Sequence, residues 1–472
     1  MRVIDQAYID GKFVAVSGSR EIDSINPASE EVIARVRLAD RDDARLAIAA
    51  AVRAQSLLRE TSREDRVEML MALKSAVLRR TAELQQATIE EYGGPVARSR
   101  WVSQYASQCF SDAASILQSY RFTQKIGAAT VVMEPVGVSA LIAPWNSVTG
   151  SVCSKLAFSL AAGCASVIKP SELGAIQTQV LAEALHEAGL PAGVFNILLG
   201  NGDDVGDEIC RHPHVARISF TGSTATGKSI ARTAMETLKR TTLGLTGKSA
   251  SILLDDADLD VAIPLAISAA FLNNGQACVA GTRLLVANSR VNDVIARIRQ
   301  HVSTLKTGQP DNPVTDIGPL ANRSQYERIQ HYIRRGVEQG AVIIAGGEGR
   351  PQGLEKGYFV RPTVFANVDN EMDIAREEIF GPVLSVIGYS DDDDAMRIAN
   401  DSPYGLQAYL FTADTDRALR MARHLQAGSV LINRITPELL APFGGVKQSG
   451  MGREFGVFGL ESFLEPKSVV TG

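Results

Sequence analysis

Residues Gly222–Ser229, GSTATGKS, match the phosphate-cradling pattern G-x-x-x-x-G-K-[ST] letter for letter. In that chemistry backbone N–H groups hold a nucleotide, Lys228 reaches its outer phosphates and Ser229 takes Mg²⁺. Downstream, SILLDD (Ser251–Asp256) has the form of the acid-ended strand that would complete a metal site. A glycine-containing turn between a strand and a helix start serves any phosphate, however, the pyrophosphate of a dinucleotide included. The motif also follows several strand–helix units, and the interval from Lys228 to Asp255 leaves little room for the switch elements of a triphosphatase. The first strand–helix turn carries APWNSVTG where a dinucleotide fold would have G-x-G-x-x-G. Taken alone, these residues leave the phosphate ligand open.

Five cysteines are scattered along the chain with no CxxC pair, so neither a disulfide framework nor a zinc site is expected, and no metal. Cys109, Cys153, Cys164 and Cys210 read as small buried hydrophobes. Cys278 differs, having polar, glycine-containing flanks (NNGQAC) at the end of an apolar helix. DDDD at Asp391–Asp394 reads as a solvated helix start.

The elements that must position these groups follow from periodicity. Residues 41–118 carry apolar side chains at helical spacing, and 119–135 alternate as an extended hairpin leaving the body would. From Gly137 strands and helices alternate, which predicts an α/β fold with a parallel sheet and crossover helices. A second α/β stretch runs from about Leu245 to Arg434. The chain has 472 residues, 45% apolar and 21% charged, enough for about three domains of a soluble globular protein. A net charge of −5 with no basic stripe argues against nucleic acid or an anionic membrane as partner. The N-terminus lacks the apolar core of a signal peptide, and the longest apolar stretch, LAFSLAAGCASVI, is too short to span a bilayer. A cytoplasmic protein with reduced thiols is expected.

Six motifs occur in order: APWN (143–146), KPSE (169–172), FTGSTATG (220–227), FLNNGQACVAGTR (271–283), EEIFGPV (377–383) and PFGGVKQSGMGRE (442–454). Together they resemble the NAD(P)-dependent aldehyde dehydrogenase family over nearly the whole chain. The resemblance implies a Rossmann-like cofactor domain over 1–116 and 136–244 and a catalytic α/β domain over 245–447. It also implies a small β oligomerisation element, 117–135 with 448–472, serving a homo-dimer or a tetramer of dimers. It makes Cys278 the nucleophile toward a small-molecule aldehyde, through a thiohemiacetal whose carbon gives hydride to the nicotinamide. Asn146 and the Cys278 N–H would stabilise the oxyanion. Lys169 and Glu172 would bind the adenosine ribose, Ser223 and Trp145 the pyrophosphate, and Glu378 the nicotinamide ribose with Phe380 beside the ring. Ser171, Gly222 and Leu245 complete the implied cofactor contacts. A carboxylate at Glu172 repels a 2′-phosphate, which favours NAD, with NADP the alternative.

One segment departs from the family. Its L-E-L-G-G-K pattern, whose glutamate is the general base, reads Leu243–Lys248 LGLTGK here, so the base position is Gly244 and Thr246 replaces a glycine. General-base catalysis is worth roughly 10²–10⁴-fold, so thioester hydrolysis should slow by about that much unless it is rescued. Four accounts stand open: a substitute base, coenzyme A as acceptor, a substrate carrying its own basic group, or lost turnover, natural or engineered. For the first, Glu465 and Lys155 resemble a secondary proton relay in the family, or a structural ion pair. Ser147, Ser151 and Ser154 share a helix face after Asn146, which either widens an aldehyde tunnel for a bulky or polar substrate or permits close helix packing. Ala277 and Val279 set the width beside the nucleophile.

Overall fold

A computed structural model describes residues 1–471. Among these residues, two twisted sheets supply the ends of strands from which the site is built. In the first, five parallel strands run in the spatial order Arg240–Gly244, Arg217–Thr221, Ser139–Ile142, Ser166–Lys169, Phe195–Ile197. The chain enters at the middle strand, winds one way twice, then crosses to the other side. That reversal opens a crevice between Ile142 and Thr221, where α/β sheets bind ligands. Gly450–Met451 and Gln6–Ile9 pair antiparallel on the two flanks, with Lys12–Ala15 beyond the latter.

The second sheet has Ala250–Leu253 at its centre between Arg283–Ala287 and Gln407–Phe411, all parallel. SILLDD therefore lies in a different sheet from the glycine loop. Asp255 pairs with Arg417 at 2.7 Å, and Asp256 accepts from the Thr412 hydroxyl at 2.7 Å, so these acids tie the second sheet's loops together. The triphosphatase expectation loses its metal-holding strand. Apolar cores fill the first sheet's surroundings and both faces of the second, since strands buried on both faces are apolar throughout.

The predicted helical region 41–118 divides into Arg41–Arg59, Arg63–Arg79, Thr81–Ala87 and Val96–Ser119. Asp40 and Ser62 cap the first two with reciprocal capping boxes. Gly93, at φ 77°, turns the chain before the last one, where a Cβ would fall 2.6 Å from Pro319. The expected hairpin forms from Thr123–Ile126 and Ala129–Pro135 and pairs with Leu464–Val470 into a separate three-stranded sheet. The rest of the C-terminal segment packs on the body, Gly450–Met451 in the first sheet and Gly456–Glu461 as a helix. No helix of the described residues is long and apolar enough to cross a membrane.

Candidate active site

A cleft of about 1200 Å³ runs from the crevice of the first sheet to Cys278, a volume that suits a dinucleotide. At its first-sheet end the glycine loop shows what its glycines do. A Cβ on Gly222 would fall 2.4 Å from the Phe220 ring, and one on Gly227 would fall 2.4 Å from Leu245. The loop thus needs glycine to bring helix Thr224–Met235 against the neighbouring strand's end. Ser223 caps that helix, its Oγ accepting from the Thr226 N–H at 3.2 Å, and faces the cleft. Lys228 is exposed and donates to Gln448 Oε1 at 2.9 Å; it is a helix-surface residue outside the cleft lining, whereas Ser229 reaches the cleft. The spacing that mimicked a triphosphate loop comes from two unrelated demands, glycine packing and helix-surface polarity.

On the opposite wall Lys169 is buried, with its Nζ 3.6 Å from Glu172 Oε2 and donating to the Pro170 carbonyl at 3.3 Å. Burial lowers the Lys169 pKa, and Glu172 works against that fall. Ser171 Oγ accepts from the Leu173 N–H at 3.3 Å and caps the short turn holding Glu172. The Trp145 ring meets Phe380 edge-on at 5.3 Å, and Phe380 holds a left-handed φ of 64° that aims it there. Leu245 also lines the cleft.

The nucleophile is presented by a loop of unusual backbone. Asn273, Asn274 and Gly275 have successive φ values of 57°, 58° and 73°, a left-handed run that asparagine tolerates better than most residues. It turns the chain at the end of helix Leu259–Phe271 so that Cys278 comes forward. Gly275 is obligatory, since a Cβ there would lie 2.1 Å from the Gly381 carbonyl carbon. Asn146 Nδ2 donates to the Gln276 carbonyl at 2.8 Å, and Asn273 Nδ2 donates back to the Asn146 carbonyl at 3.0 Å. One of the two Asn146 amide hydrogens is thereby used for positioning, which leaves the other for an oxyanion. Gln276 is fully buried; its Nε2 donates to the Tyr92 hydroxyl at 3.0 Å and its Oε1 accepts from the Ala321 N–H at 3.1 Å.

Burial pushes the Cys278 thiol up to about 12, with repulsion from Glu378 adding to it and the Cys278 and Val279 N–H groups opposing it. Glu378 Oε1 accepts from the Gly247 N–H at 3.0 Å. Arg328 donates to the Glu378 carbonyl at 2.6 Å and fixes the segment. Burial lifts the Glu378 carboxyl to about 7 despite the Gly247 N–H and the charges of Lys248 and Arg328. Gly247 is the contact between the two halves of the site: a Cβ on it would strike the Cys278 carbonyl oxygen at 2.1 Å.

Gly244 lies at the cleft end of strand Arg240–Gly244, paired with Thr221 and with Gly450. Its surroundings are open, the nearest atom to an added Cβ being Thr221 Oγ1 at 3.4 Å. The expected pairing of Glu465 with Lys155 is not what the fold makes. Glu465 lies on the outer strand Leu464–Val470 and is held by Arg240 at 2.6 Å, both side chains largely exposed. Lys155, buried in helix Val148–Ala162, instead pairs with Glu454 and donates to Ser219 Oγ at 2.9 Å. Ser219 in turn donates to Glu454 at 3.1 Å. Glu454 closes the GMGRE motif, so its signal was present in the sequence; the choice between two C-terminal glutamates needed the path of the chain. Thr221, Ser219 and the tyrosine clasp on Gln276 are further members that no local pattern marks.

The serine face is also narrower than its side chains suggest. Tyr105, from helix Val96–Ser119, covers it: a Cβ on Gly150 would lie 2.8 Å from the Tyr105 ring. Ser154 is buried beneath, while Ser147 and Ser151 keep partial exposure. Small residues here admit an aromatic ring from the neighbouring helix, which accounts for both readings of the triplet at once. Ala277 and Val279 flank Cys278 with partial exposure, as expected from their place in the loop.

Residues 13–469 match the model of the aldehyde dehydrogenase family. The chain is 43% identical over 472 residues to a 3-succinoylsemialdehyde-pyridine dehydrogenase of a Pseudomonas species, covering 100% of this chain and 99% of that one. Among solved structures it resembles a mutant of aldehyde dehydrogenase C from Pseudomonas syringae in complex with NAD+ and octanal. That match has a TM-score of 0.97 at 42% identity, covering 99% of this chain and 96% of the other. An NAD+ complex of an aldehyde dehydrogenase from Bacillus cereus gives a TM-score of 0.95 at 36% identity, with coverage of 99% and 96%. With a match of this length and a cysteine, an asparagine amide and a dinucleotide-sized cleft meeting at one point, the chain belongs to the aldehyde dehydrogenase family.

Proposed function

We propose that this protein oxidises an aldehyde with NAD through an acyl intermediate on Cys278, and that acyl release is slow because Gly244 supplies no proton acceptor. The single observation carrying this reading is the juxtaposition of a complete nucleophile loop with an open, side-chain-free base position. The cleft fits the cofactor: Ser223 sits at a helix start with free N–H groups for a pyrophosphate. Glu172 offers a carboxylate to ribose hydroxyls, Lys169 stands beside it, and Glu378 with Phe380 lies at the nicotinamide end. When bound, the nicotinamide accepts a hydride.

The chain's own residues do the rest. Cys278 Sγ, once deprotonated, adds to the carbonyl carbon, and the remaining Asn146 amide hydrogen with the Cys278 N–H receives the negative oxygen. Collapse of that adduct with loss of hydride leaves an acyl–cysteine thioester. Hydrolysis then needs a group to take a proton from water, and Gly244 has none. The Lys155–Ser219–Glu454 cluster lies along the same strand as Thr221, Gly244's neighbour, and is the site's remaining route for protons toward the interior.

Rapid mixing with NAD and a panel of aldehydes tests this. A burst of NADH near one equivalent per site should precede slow steady turnover. Gly244→Glu should raise the steady rate by about 10²–10⁴-fold; an unchanged steady rate would sink the proposal. A second reading, coenzyme A as acceptor, draws on the same open space at Gly244. It predicts that adding coenzyme A to the unmodified protein, without mutation, abolishes the difference between burst and steady rates.

A further inference from the structure

Arg98, in the first turn of helix Val96–Ser119, has no ion-pair partner among the described residues. Its Nε is enclosed without an acceptor, and the only ionisable groups acting on it are the hydroxyls of Tyr92 and Tyr105. Leaving a guanidinium so enclosed and unpaired is costly, which marks it as built for something that comes from outside. Its central carbon stands 4.5 Å above the Trp101 ring, which orients the planar group face-on. Trp101 stacks on Tyr105 at 5.0 Å and 11°, Tyr105 meets Phe455 at 6.4 Å, and Phe455 stacks on Phe443 at 5.7 Å.

This aromatic wall connects to the reacting centre in two ways. Tyr105 packs against Gly150 in the first turn of the helix that follows Asn146. On the other flank, Tyr92 receives the Gln276 Nε2 hydrogen bond at 3.0 Å, and the Gln276 carbonyl holds Asn146 Nδ2 at 2.8 Å. Arg98 therefore ends a flat apolar surface whose other end lies beside the carbonyl-binding amide. We propose that this surface binds the body of the aldehyde and that Arg98 recognises a carboxylate at its far end, so that the substrate is a planar, aromatic aldehyde acid. A carboxylate matches the guanidinium fork with two parallel hydrogen bonds, which a hydroxyl or an ester cannot do. The inference rests on the reading of Cys278 and Asn146 as the aldehyde's point of reaction.

Equilibrium binding tests it without turnover. In Cys278→Ala protein with NAD present, 4-carboxybenzaldehyde should bind about ten- to hundred-fold more tightly than its neutral methyl ester, methyl 4-formylbenzoate. Adding Arg98→Met should bring that ratio to near one while the ester keeps its affinity within about three-fold. Equal affinities with Arg98 intact, or a preference that survives Arg98→Met, would overturn the proposal. Ester binding lost together with acid binding would assign Arg98 to the fold and overturn it equally. Failure of every aldehyde to release NADH from unmodified protein would count against the dehydrogenase reading, and leaves this binding ratio independently measurable.

Discussion

A carboxylate is missing from position 244 while a lysine–glutamate pair is buried a few side chains away, and the two facts make separable predictions. Lys155 is buried with Glu454 as its sole carboxylate partner among the described residues, so removing either charge strands the other. Glu454→Gln should destabilise the protein by about 3–5 kcal/mol in urea unfolding. Glu465→Gln, at an exposed pair with Arg240, should cost no more than about 1 kcal/mol, and equal costs would refute this division. Glu378 gives a pH prediction. Its carboxyl is raised to about 7, so it is protonated below that pH and ionised above it. Only the ionised form accepts two ribose hydroxyl hydrogens fully, so NAD affinity should fall by about three- to ten-fold as pH drops from 8 to 6. An affinity flat across that window, measured by tryptophan quenching, would remove Glu378 from the cofactor site. Cys278, Asn146 and Gly244 were legible because each lies inside a run of telling neighbours. Glu454 was not separable from Glu465, because a partner for Lys155 is chosen by how the tail folds back across the first sheet. Arg98 was invisible, since an unpaired guanidinium is a property of surroundings and not of letters.

At the scale of elements, the same glycine can be read for its conformation or for its neighbours, and structure decides between them. Gly275 has both constraints, a φ of 73° and a Cβ that would collide with the Gly381 backbone. Gly275→Ala should therefore abolish the burst by displacing the nucleophile loop, with a loss of about 3 kcal/mol or more in stability. A variant with normal burst and stability would show that the loop tolerates a different path. Gly222 and Gly227 are needed for packing alone, and the lysine after them turns to Gln448. Lys228→Ala should leave NAD affinity within about two-fold, and a large loss would restore a phosphate role for the lysine. The alternation of strands and helices from Gly137 onward was readable from composition and period, because parallel strands buried on both faces make continuous apolar runs. The breaks within 41–118 were not, because the region keeps helical spacing across Gly93–Pro95, and its interruption answers to Pro319, far along the chain. The switch between central strands, which creates the cleft, is likewise a matter of spatial order that no local window contains.

For the whole molecule, the three-stranded sheet poses the remaining physical problem. Its last strand, Leu464–Val470, buries Leu464 and leaves most of the following side chains exposed, and Thr123–Ile126 on the other edge is exposed throughout. Ile126 and Val470 are 57% and 68% exposed, and both outer strands present unpaired backbone groups. Three strands without a covered apolar face are not stable by themselves, and free edges invite pairing with another chain. We propose that a second copy covers this sheet and that the edges continue across subunits, with the first sheet carrying the cofactor domain and the second the catalytic one. Deleting Glu465–Gly472 removes the outer strand while sparing Leu464 and the helix Gly456–Glu461, so the core of each subunit should survive. Light scattering should give a dimer or tetramer for the full chain and half that mass or less for the truncated one. The truncated protein should keep NAD binding, because no cleft residue lies in the deleted stretch. A full-length monomer, or an assembly whose mass ignores the deletion, would mean that the exposed strand serves something other than self-association.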